Sequence, residues 1–297
     1  MTGRKFFTLD VFTSTRFAGN PLAVVLEAEG LETGAMQAIA REFNLSETVF
    51  VLPPAEPSHR ARLRIFTPAN ELPFAGHPTV GTAVLLSLVD GRGSVDFVLE
   101  ERVGPVRCRV RPTAEDAGHA EFDLPRLPSR EQDTGDRAET AAALGLTPSD
   151  LSAGGWPTEV WSAGNPFTFV PLAGLDAVRR CRIDLGRFDG AFRGTGAAFV
   201  FAREGAHAGR DSHARMFAPS FGVIEDPATG SAVAAFAGYL AAHAGYADGE
   251  RNVRVEQGFE MGRPSLIDLR MTLANGTLTA ASIGGDAVSV SEGRLRA

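Results

Sequence analysis

Lysine is almost missing from this 297-residue chain, because Lys5 is the only lysine among 29 basic residues and all the others are arginine. A pyridoxal-phosphate enzyme or a Schiff-base aldolase needs a buried lysine amine, and Lys5 lies near the first residue, beside two phenylalanines. A P-loop needs a Gly-Lys-Ser/Thr sequence, and none occurs here. We therefore expect neither lysine-dependent catalysis nor P-loop chemistry.

Cysteine, tryptophan and tyrosine are scarce as well, with two residues of each. Cys108 and Cys181 form no Cys-x-x-Cys motif, so we expect two buried thiols in a reducing compartment. The scarcity of tryptophan and tyrosine and a net charge of −7 disfavour nucleic-acid binding. The apolar runs are shorter than the roughly 20 residues that cross a bilayer, and Asp10 interrupts the first of them. The sequence predicts a cytoplasmic protein that binds neither nucleic acid nor membrane.

Motifs for metal ions and nucleotide cofactors are also missing. The six histidines include no His-x-x-x-His pair of the kind that binds a metal ion. The Gly-x-Ser-x-Gly motif of serine hydrolases does not occur either. Gly194-Thr195-Gly196 starts like a dinucleotide-binding loop, but Phe199 stands where the third glycine is needed. We therefore predict no metal site and no cofactor.

Two patterns occur twice in the chain, in the same order. Gly19-Asn20-Pro21 precedes an apolar strand pattern, and Gly164-Asn165-Pro166 does so 145 residues later. The segment 77–84 matches the segment 226–233, 149 residues later, at four of eight positions. Two repeats at nearly the same offset predict that the chain consists of two duplicated halves.

The periodicity predicts mostly strands, with a long apolar helix in each half at 79–89 and 229–242. A further helix is expected at 31–43, and Asn275-Gly276 predicts a two-residue hairpin turn. The stretch 125–137 is polar and holds two prolines, so we place the domain boundary there. We therefore predict an α+β fold with domains at 1–128 and 129–297, the last strand being a candidate to return to the first domain.

The repeated motif places small residues and a proline at the start of each long helix. Free N–H groups at a helix start attract anions, so two such starts facing one cleft between the halves would suit a small carboxylate substrate. The motif also brings one titratable residue to each start, His77 and Asp226. Glu47 begins an apolar strand and is a third candidate for proton transfer.

Each candidate also has a purely structural interpretation. Asp226 before a proline could be an ordinary helix cap, His77 a turn residue and Glu47 a solvated charge at a strand end. The residues taken singly leave these alternatives open.

The chain resembles the PhzF phenazine-biosynthesis family over nearly its whole length. The matching motifs are Asp10-Val11-Phe12, Gly19-Asn20-Pro21, Ser46-Glu47-Thr48, Glu71 with 74–79, 225–232, Gln257-Gly258 and Gly262-Arg263-Pro264. The resemblance implies the diaminopimelate epimerase fold, in which two pseudo-symmetric domains each wrap a barrel-like sheet around one central helix. Epimerases of that fold use two cysteines, and those places are held here by Gly76-His77 and Ala228-Thr229, which excludes a two-cysteine racemase.

The resemblance further implies a cofactor-free isomerase that moves a proton on a substrate such as trans-2,3-dihydro-3-hydroxyanthranilate. Glu47 would then be the acid/base, and His77 and Asp226 would polarise the substrate. The substrate-binding residues would be Ser46, Gly76, Gly230 and Ser231, with no metal. Homodimers are expected from the family.

Two alternatives remain at this point. One is a cysteine-free epimerase or racemase of a carboxylic acid, and the other is a non-catalytic protein of the same fold that binds a small molecule. The sequence does not select the physiological substrate.

Overall fold

The computed structural model describes residues 3–91, 93–133, 136–152 and 155–297. It divides into two compact units, Met1–Pro125 with Ile283–Ala297, and Arg126–Ser282. The predicted ranges were 1–128 and 129–297. The observed division assigns the C-terminal segment to the first unit because that segment pairs with the first strand.

The strands are β1 Arg4–Val11, β2 Asn20–Val25, β3 Glu47–Leu52, β4 Ala61–Phe66, β5 Glu71–Leu72, β6 Val95–Glu101, β7 Gly104–Ala114, β8 Ala117–Asp123, β9 Ser129–Asp133, β10 Glu159–Ser162, β11 Pro166–Pro171, β12 Ala198–Ala202, β13 Ser212–Ala218, β14 Val223–Asp226, β15 Gly249–Gln257, β16 Ser265–Ala274 and β17 Thr277–Leu295. The α-helices are α1 Thr33–Phe43, α2 Gly76–Val89, α3 Arg137–Ala143, α4 Leu175–Arg180, α5 Leu185–Ala191 and α6 Gly230–His243. No helix among the described residues has both the length and the apolar character to cross a membrane.

The first unit is a closed ring of eight strands. Strand β1 pairs antiparallel with β2, which pairs parallel with β3, and β3 pairs antiparallel with β4. Strand β4 pairs parallel with β6, and β6, β7 and β8 follow antiparallel. Strand β17 then joins β8 to β1. Closure leaves these eight strands without an unpaired edge.

Helix α2 is the core of this ring. Twelve of its fourteen residues are buried, as expected for a helix that is apolar around its whole circumference. Its contacts are with strands on several sides of the ring, including β1, β2, β7 and β8. Gly81 allows the closest approach, because a Cβ atom there would lie 2.7 Å from the side chains of Leu22 and Val11.

Helix α1 packs in a second, smaller core of the first unit. Its buried residues Met36, Ile39 and Ala40 contact Val25, Phe50 and Phe66 of the sheet. These contacts fix the helix against β2, β3 and β4, and therefore fix where the chain enters β3.

The second unit repeats the same order of pairing. Strands β10 and β11 are antiparallel, β11 and β12 parallel, β12 and β13 antiparallel, β13 and β15 parallel, and β15 and β16 antiparallel. Helix α6 is its central helix, with ten of fourteen residues buried and contacts to β9, β10, β11 and β16. The predicted α+β fold, with two similar domains that each surround a central helix by a sheet, is confirmed.

Two local predictions can be compared with the structure. The turn between β16 and β17 is a type I′ hairpin turn, because Asn275 and Gly276 both have positive φ, 53° and 69°, which confirms the prediction. The stretch 125–137, in which the domain boundary was placed, contains the strand β9, which the sequence analysis did not predict. That strand pairs with β10, which begins at Glu159, and a partner so distant in sequence leaves no local pattern.

Candidate active site

Glu47 is placed by the end of α1. The helix stops at Asn44, which adopts the left-handed conformation (φ 51°) and donates its N–H to the carbonyl of Ala40. Three residues later the chain enters β3, where Glu47 pairs with Leu22 of β2. The side chain of Glu47 is only 15% exposed, so it is not a solvated charge at a strand end.

His77 is the second residue of α2 and lies against Glu47. Its Nε2 atom is 3.2 Å from Oε2 of Glu47. Burial lowers the pKa of His77 to about 3, so the ring is neutral at physiological pH. The contact therefore joins a carboxyl group and a neutral imidazole, and the imidazole can orient the carboxyl group for proton transfer.

The start of α2 presents two backbone N–H groups beside this pair. Gly76 and His77 are the first two residues of the helix, so their N–H groups have no partner within it. Pro78 follows inside the first turn, where its missing N–H costs nothing. The sequence predicted the helix from residue 79, whereas the structure starts it at Gly76 and thereby makes His77 part of the helix.

Glu101 lies beneath the same helix start and was missed by the sequence analysis. Its Oε1 atom accepts a hydrogen bond from the Thr79 hydroxyl at 2.7 Å, and its carboxyl group also accepts one from the N–H of Ala75. Burial raises the pKa of Glu101 to about 8. Strand alternation could have indicated this burial, because Glu101 shares a sheet face with the fully buried Leu99.

Asp226 ends β14 in the second unit and is 8% exposed. Its Oδ2 atom accepts a hydrogen bond of 2.5 Å from the hydroxyl of Thr229. Thr229, and not Asp226, occupies the N-cap position of α6. The interpretation of Asp226 as the helix cap is therefore wrong. Its carboxyl group is instead held by the cap residue.

Gln257, the last residue of β15, forms hydrogen bonds to the segment 226–229. Its Oε1 atom accepts the N–H of Thr229 at 3.1 Å, and its Nε2 atom donates to the carbonyl of Asp226 at 2.7 Å. Nε2 also donates to the hydroxyl of Thr229 at 3.0 Å. The sequence analysis noted Gln257 only as part of a motif and assigned it no role.

The start of α6 resembles the start of α2 in its free donors. Ala232 and Val233 donate their N–H groups to the carbonyl of Thr229. Gly230 and Ser231 precede them as the first two helical residues, so their N–H groups have no partner within the helix. Gly230 is buried and Ser231 is half-buried.

The predicted residues therefore form two groups. In the first unit the structure brings together Glu47 and His77, with Ser46 and Gly76 as their chain neighbours. In the second unit Asp226, Gly230 and Ser231 lie around one helix start. Cys108 and Cys181 are free and buried, at neither helix start. Among the described residues, no three or more His, Cys, Asp or Glu side chains form a cluster suited to a metal ion.

Comparison with known proteins shows similarity over the full length. The chain matches the family model for phenazine biosynthesis-like proteins, PhzC-PhzF, over residues 9–293. It is 50% identical to an uncharacterized isomerase of Mesorhizobium japonicum, with 99% of each chain covered. It is 37% identical to the trans-2,3-dihydro-3-hydroxyanthranilate isomerase of Pseudomonas aeruginosa, with 98% of each chain covered. The crystal structure of a PhzF-family phenazine biosynthesis protein from Bacillus anthracis matches with a TM-score of 0.90 at 28% identity, covering 100% of both chains.

Proposed function

Because this chain belongs to the phenazine biosynthesis-like (PhzC-PhzF) family and is an isomerase, we propose that it moves a proton on a small unsaturated carboxylate through Glu47. The observation that carries the proposal is the 3.2 Å approach of Glu47 and the neutral His77 at the start of α2. The relative from Pseudomonas aeruginosa is named trans-2,3-dihydro-3-hydroxyanthranilate isomerase. We therefore propose that compound, or a close analogue, as the substrate.

The proposed reaction needs no cofactor. The Glu47 carboxylate removes a proton from a carbon of the substrate, so that a C–H bond breaks and its electron pair enters the conjugated system. The protonated Glu47 then returns the proton to a different carbon, where a new C–H bond forms. Atoms and electrons balance because the substrate and product are isomers.

The remaining residues would bind and polarise the substrate. The neutral imidazole of His77 can hydrogen-bond the developing charge without competing for the proton on Glu47. The N–H groups at the start of α2 suit a substrate carboxylate. We propose that Asp226, Ser231 and the backbone of Gly230 serve the same reaction from the second unit, and that Ser46 contributes to binding.

The test is NMR in D₂O with trans-2,3-dihydro-3-hydroxyanthranilate and three proteins, the wild type, Glu47→Gln and Glu42→Gln. Glu42 is an exposed glutamate on α1 and serves as the matched control. We expect isomerisation in the wild type and in Glu42→Gln, and none in Glu47→Gln. Deuterium enters the new C–H position to the extent that the proton on Glu47 exchanges with the solvent before it is returned. Isomerisation at the wild-type rate by Glu47→Gln would refute the role of Glu47.

The same experiment separates the alternatives. An epimerase would exchange deuterium at a stereocentre without moving a double bond. A binding protein would shift the ligand resonances without any exchange. We also propose a cytoplasmic homodimer, and sedimentation of the purified protein tests the dimer.

A further inference from the structure

Gln257 is a neutral side chain in a fully buried position, with 0% of the residue exposed. Its amide makes three hydrogen bonds, to the carbonyl of Asp226, to the N–H of Thr229 and to the hydroxyl of Thr229. One side chain therefore joins both ends of the segment 226–229, which leads from β14 into α6.

The backbone fixes the orientation of this amide. The N–H of Thr229 can only donate, so it must face the Oε1 atom of Gln257. The carbonyl of Asp226 can only accept, so it must face Nε2. A flipped amide would lose both bonds, and the two N–H hydrogens of Gln257 are both in use in the observed orientation.

The fixed amide in turn fixes the hydroxyl of Thr229. Because Nε2 of Gln257 donates to Oγ1 of Thr229, the single hydroxyl hydrogen of Thr229 is directed to Oδ2 of Asp226. Gln257 therefore donates to Thr229, and Thr229 donates to Asp226. The chain of hydrogen bonds ends on the carboxylate of Asp226, to which the sequence analysis assigned the polarisation of the substrate.

Gly258, the next residue, lies against the backbone of the same segment, 226–229. Gly258 has a positive φ of 79°. A Cβ atom there would lie 2.5 Å from the carbonyl oxygen of Pro227 and 2.4 Å from that of Arg263. Only glycine fits this position, so the Gln257-Gly258 pair supports the segment through hydrogen bonds at one residue and backbone contact at the other.

We propose that Gln257 is a positioning residue for catalysis, which holds the carboxylate of Asp226 and the first turn of α6 in place through Thr229. The proposal rests on the proposed function in one respect, namely that Asp226 acts on the substrate. Gln257 itself is buried and is not a catalytic residue.

Two substitutions separate the hydrogen-bond donor of Gln257 from its acceptor. Gln257→Leu removes both. Gln257→Glu keeps an oxygen that accepts from Thr229, but as a carboxylate it donates to neither Asp226 nor Thr229. When the carboxyl group introduced by Gln257→Glu is protonated, it regains one donor, and burial beside Asp226 favours that protonated form. The other nearby acid, Glu256, is bonded to His207 and His213 instead.

The activity arm measures kcat and KM across pH. We expect kcat to fall up to about 100-fold in Gln257→Leu, as displaced catalytic groups typically cause, at every pH and with a smaller change in KM. In Gln257→Glu the activity relative to wild type should recover as the pH falls from about 8 to about 6, because the donor returns. Wild-type kcat and KM in both variants would overturn the proposal.

The second arm does not depend on activity and measures hydrogen exchange of the Thr229 amide. We expect faster exchange in Gln257→Leu and wild-type protection in Gln257→Glu, which keeps the acceptor. The control is Gln37→Leu, since Gln37 bonds the backbone carbonyls of Thr67 and Pro68 in the first unit. The substitution Gln37→Leu should change neither the activity nor the exchange rate of the Thr229 amide. If the wild type turns over no substrate, the proposed function fails while the exchange arm still decides whether Gln257 holds the segment. Unchanged protection of the Thr229 amide in a folded Gln257→Leu protein would overturn the proposal that Gln257 holds the segment.

Discussion

Replacement of Glu101 by glutamine should remove a decrease in the unfolding free energy of the first unit as the pH rises. Glu101 lies under the start of α2 with its carboxyl group bonded to Thr79 and Ala75, and burial raises its pKa to about 8 from an ordinary 4.5. The folded protein therefore holds a proton on Glu101 that the unfolded chain releases at neutral pH. The stability that this proton contributes is fully present below about pH 4.5 and is lost as the pH rises through about 8.

The size of the effect follows from the shift. Between those two pH values the wild type should lose about 1.4 kcal/mol of unfolding free energy per pH unit through Glu101, or up to about 5 kcal/mol in all. Glutamine occupies nearly the same volume and does not titrate. Glu101→Gln should therefore match the wild type near pH 5 and exceed its stability by several kcal/mol above pH 8. Other titrating groups, such as His213 with its raised pKa, are common to both proteins and cancel in the difference.

The assay is urea unfolding of both proteins at a series of pH values, followed by circular dichroism and by tryptophan fluorescence. Both tryptophans, Trp156 and Trp161, belong to the second unit. If the units unfold separately, the change should therefore be confined to circular dichroism. A stability difference between Glu101→Gln and the wild type that does not vary with pH would refute the reasoning, because Glu101 would then carry the same charge in the folded and unfolded states.

Three further predictions concern the first unit. Gly81→Ala should destabilise the protein by about 1–3 kcal/mol, because its Cβ would lie 2.7 Å from two core side chains. Gly34→Ala on α1, with no atom within 4 Å of the added Cβ, should instead stabilise it by about 0.4–1 kcal/mol, because alanine has fewer conformations in the unfolded chain. Thermal unfolding checks both, and equal effects at the two positions would contradict the packing of α2. His77 should stay neutral from about pH 5 to about pH 8, since its pKa lies near 3, so its ring resonances in NMR should not move over that range, and a midpoint near 6.5 would show that the ring is solvated.

Parts of the fold that depend on neighbouring residues could be predicted from the sequence. The Asn275-Gly276 turn needs only two residues with positive φ, and α1 needs only its apolar spacing. Strand β12 was not assigned, because all five of its residues are buried and a continuous apolar run has no alternation. Strand β9 was missed because its stabilising partner lies far along the chain.

The candidate site divides in the same way. Glu47, His77 and Asp226 could be selected because they stand in motifs with a recognisable pattern. The side chains of Gln257 and Glu101, which lie beneath these residues, could not be assigned their roles in this way. The role of Gln257 depends on the end of β15 lying beneath a segment some thirty positions earlier, and that of Glu101 on the end of β6 lying beneath α2. Such contacts join residues that lie far apart in the sequence, and a single sequence does not encode them locally.

The ring of the first unit also sets an order for folding during synthesis. Arg4 of β1 pairs with Leu295 of β17, so the ribosome makes one side of this ring long before the other. The second unit, Arg126–Ser282, is continuous in sequence and can fold as soon as its own residues have emerged. The first unit must wait with β1 and β8 unpaired on one side until β17 arrives. The half of the chain that is made first is therefore completed last, and its exposed strand edges are where a nascent chain would need protection from aggregation.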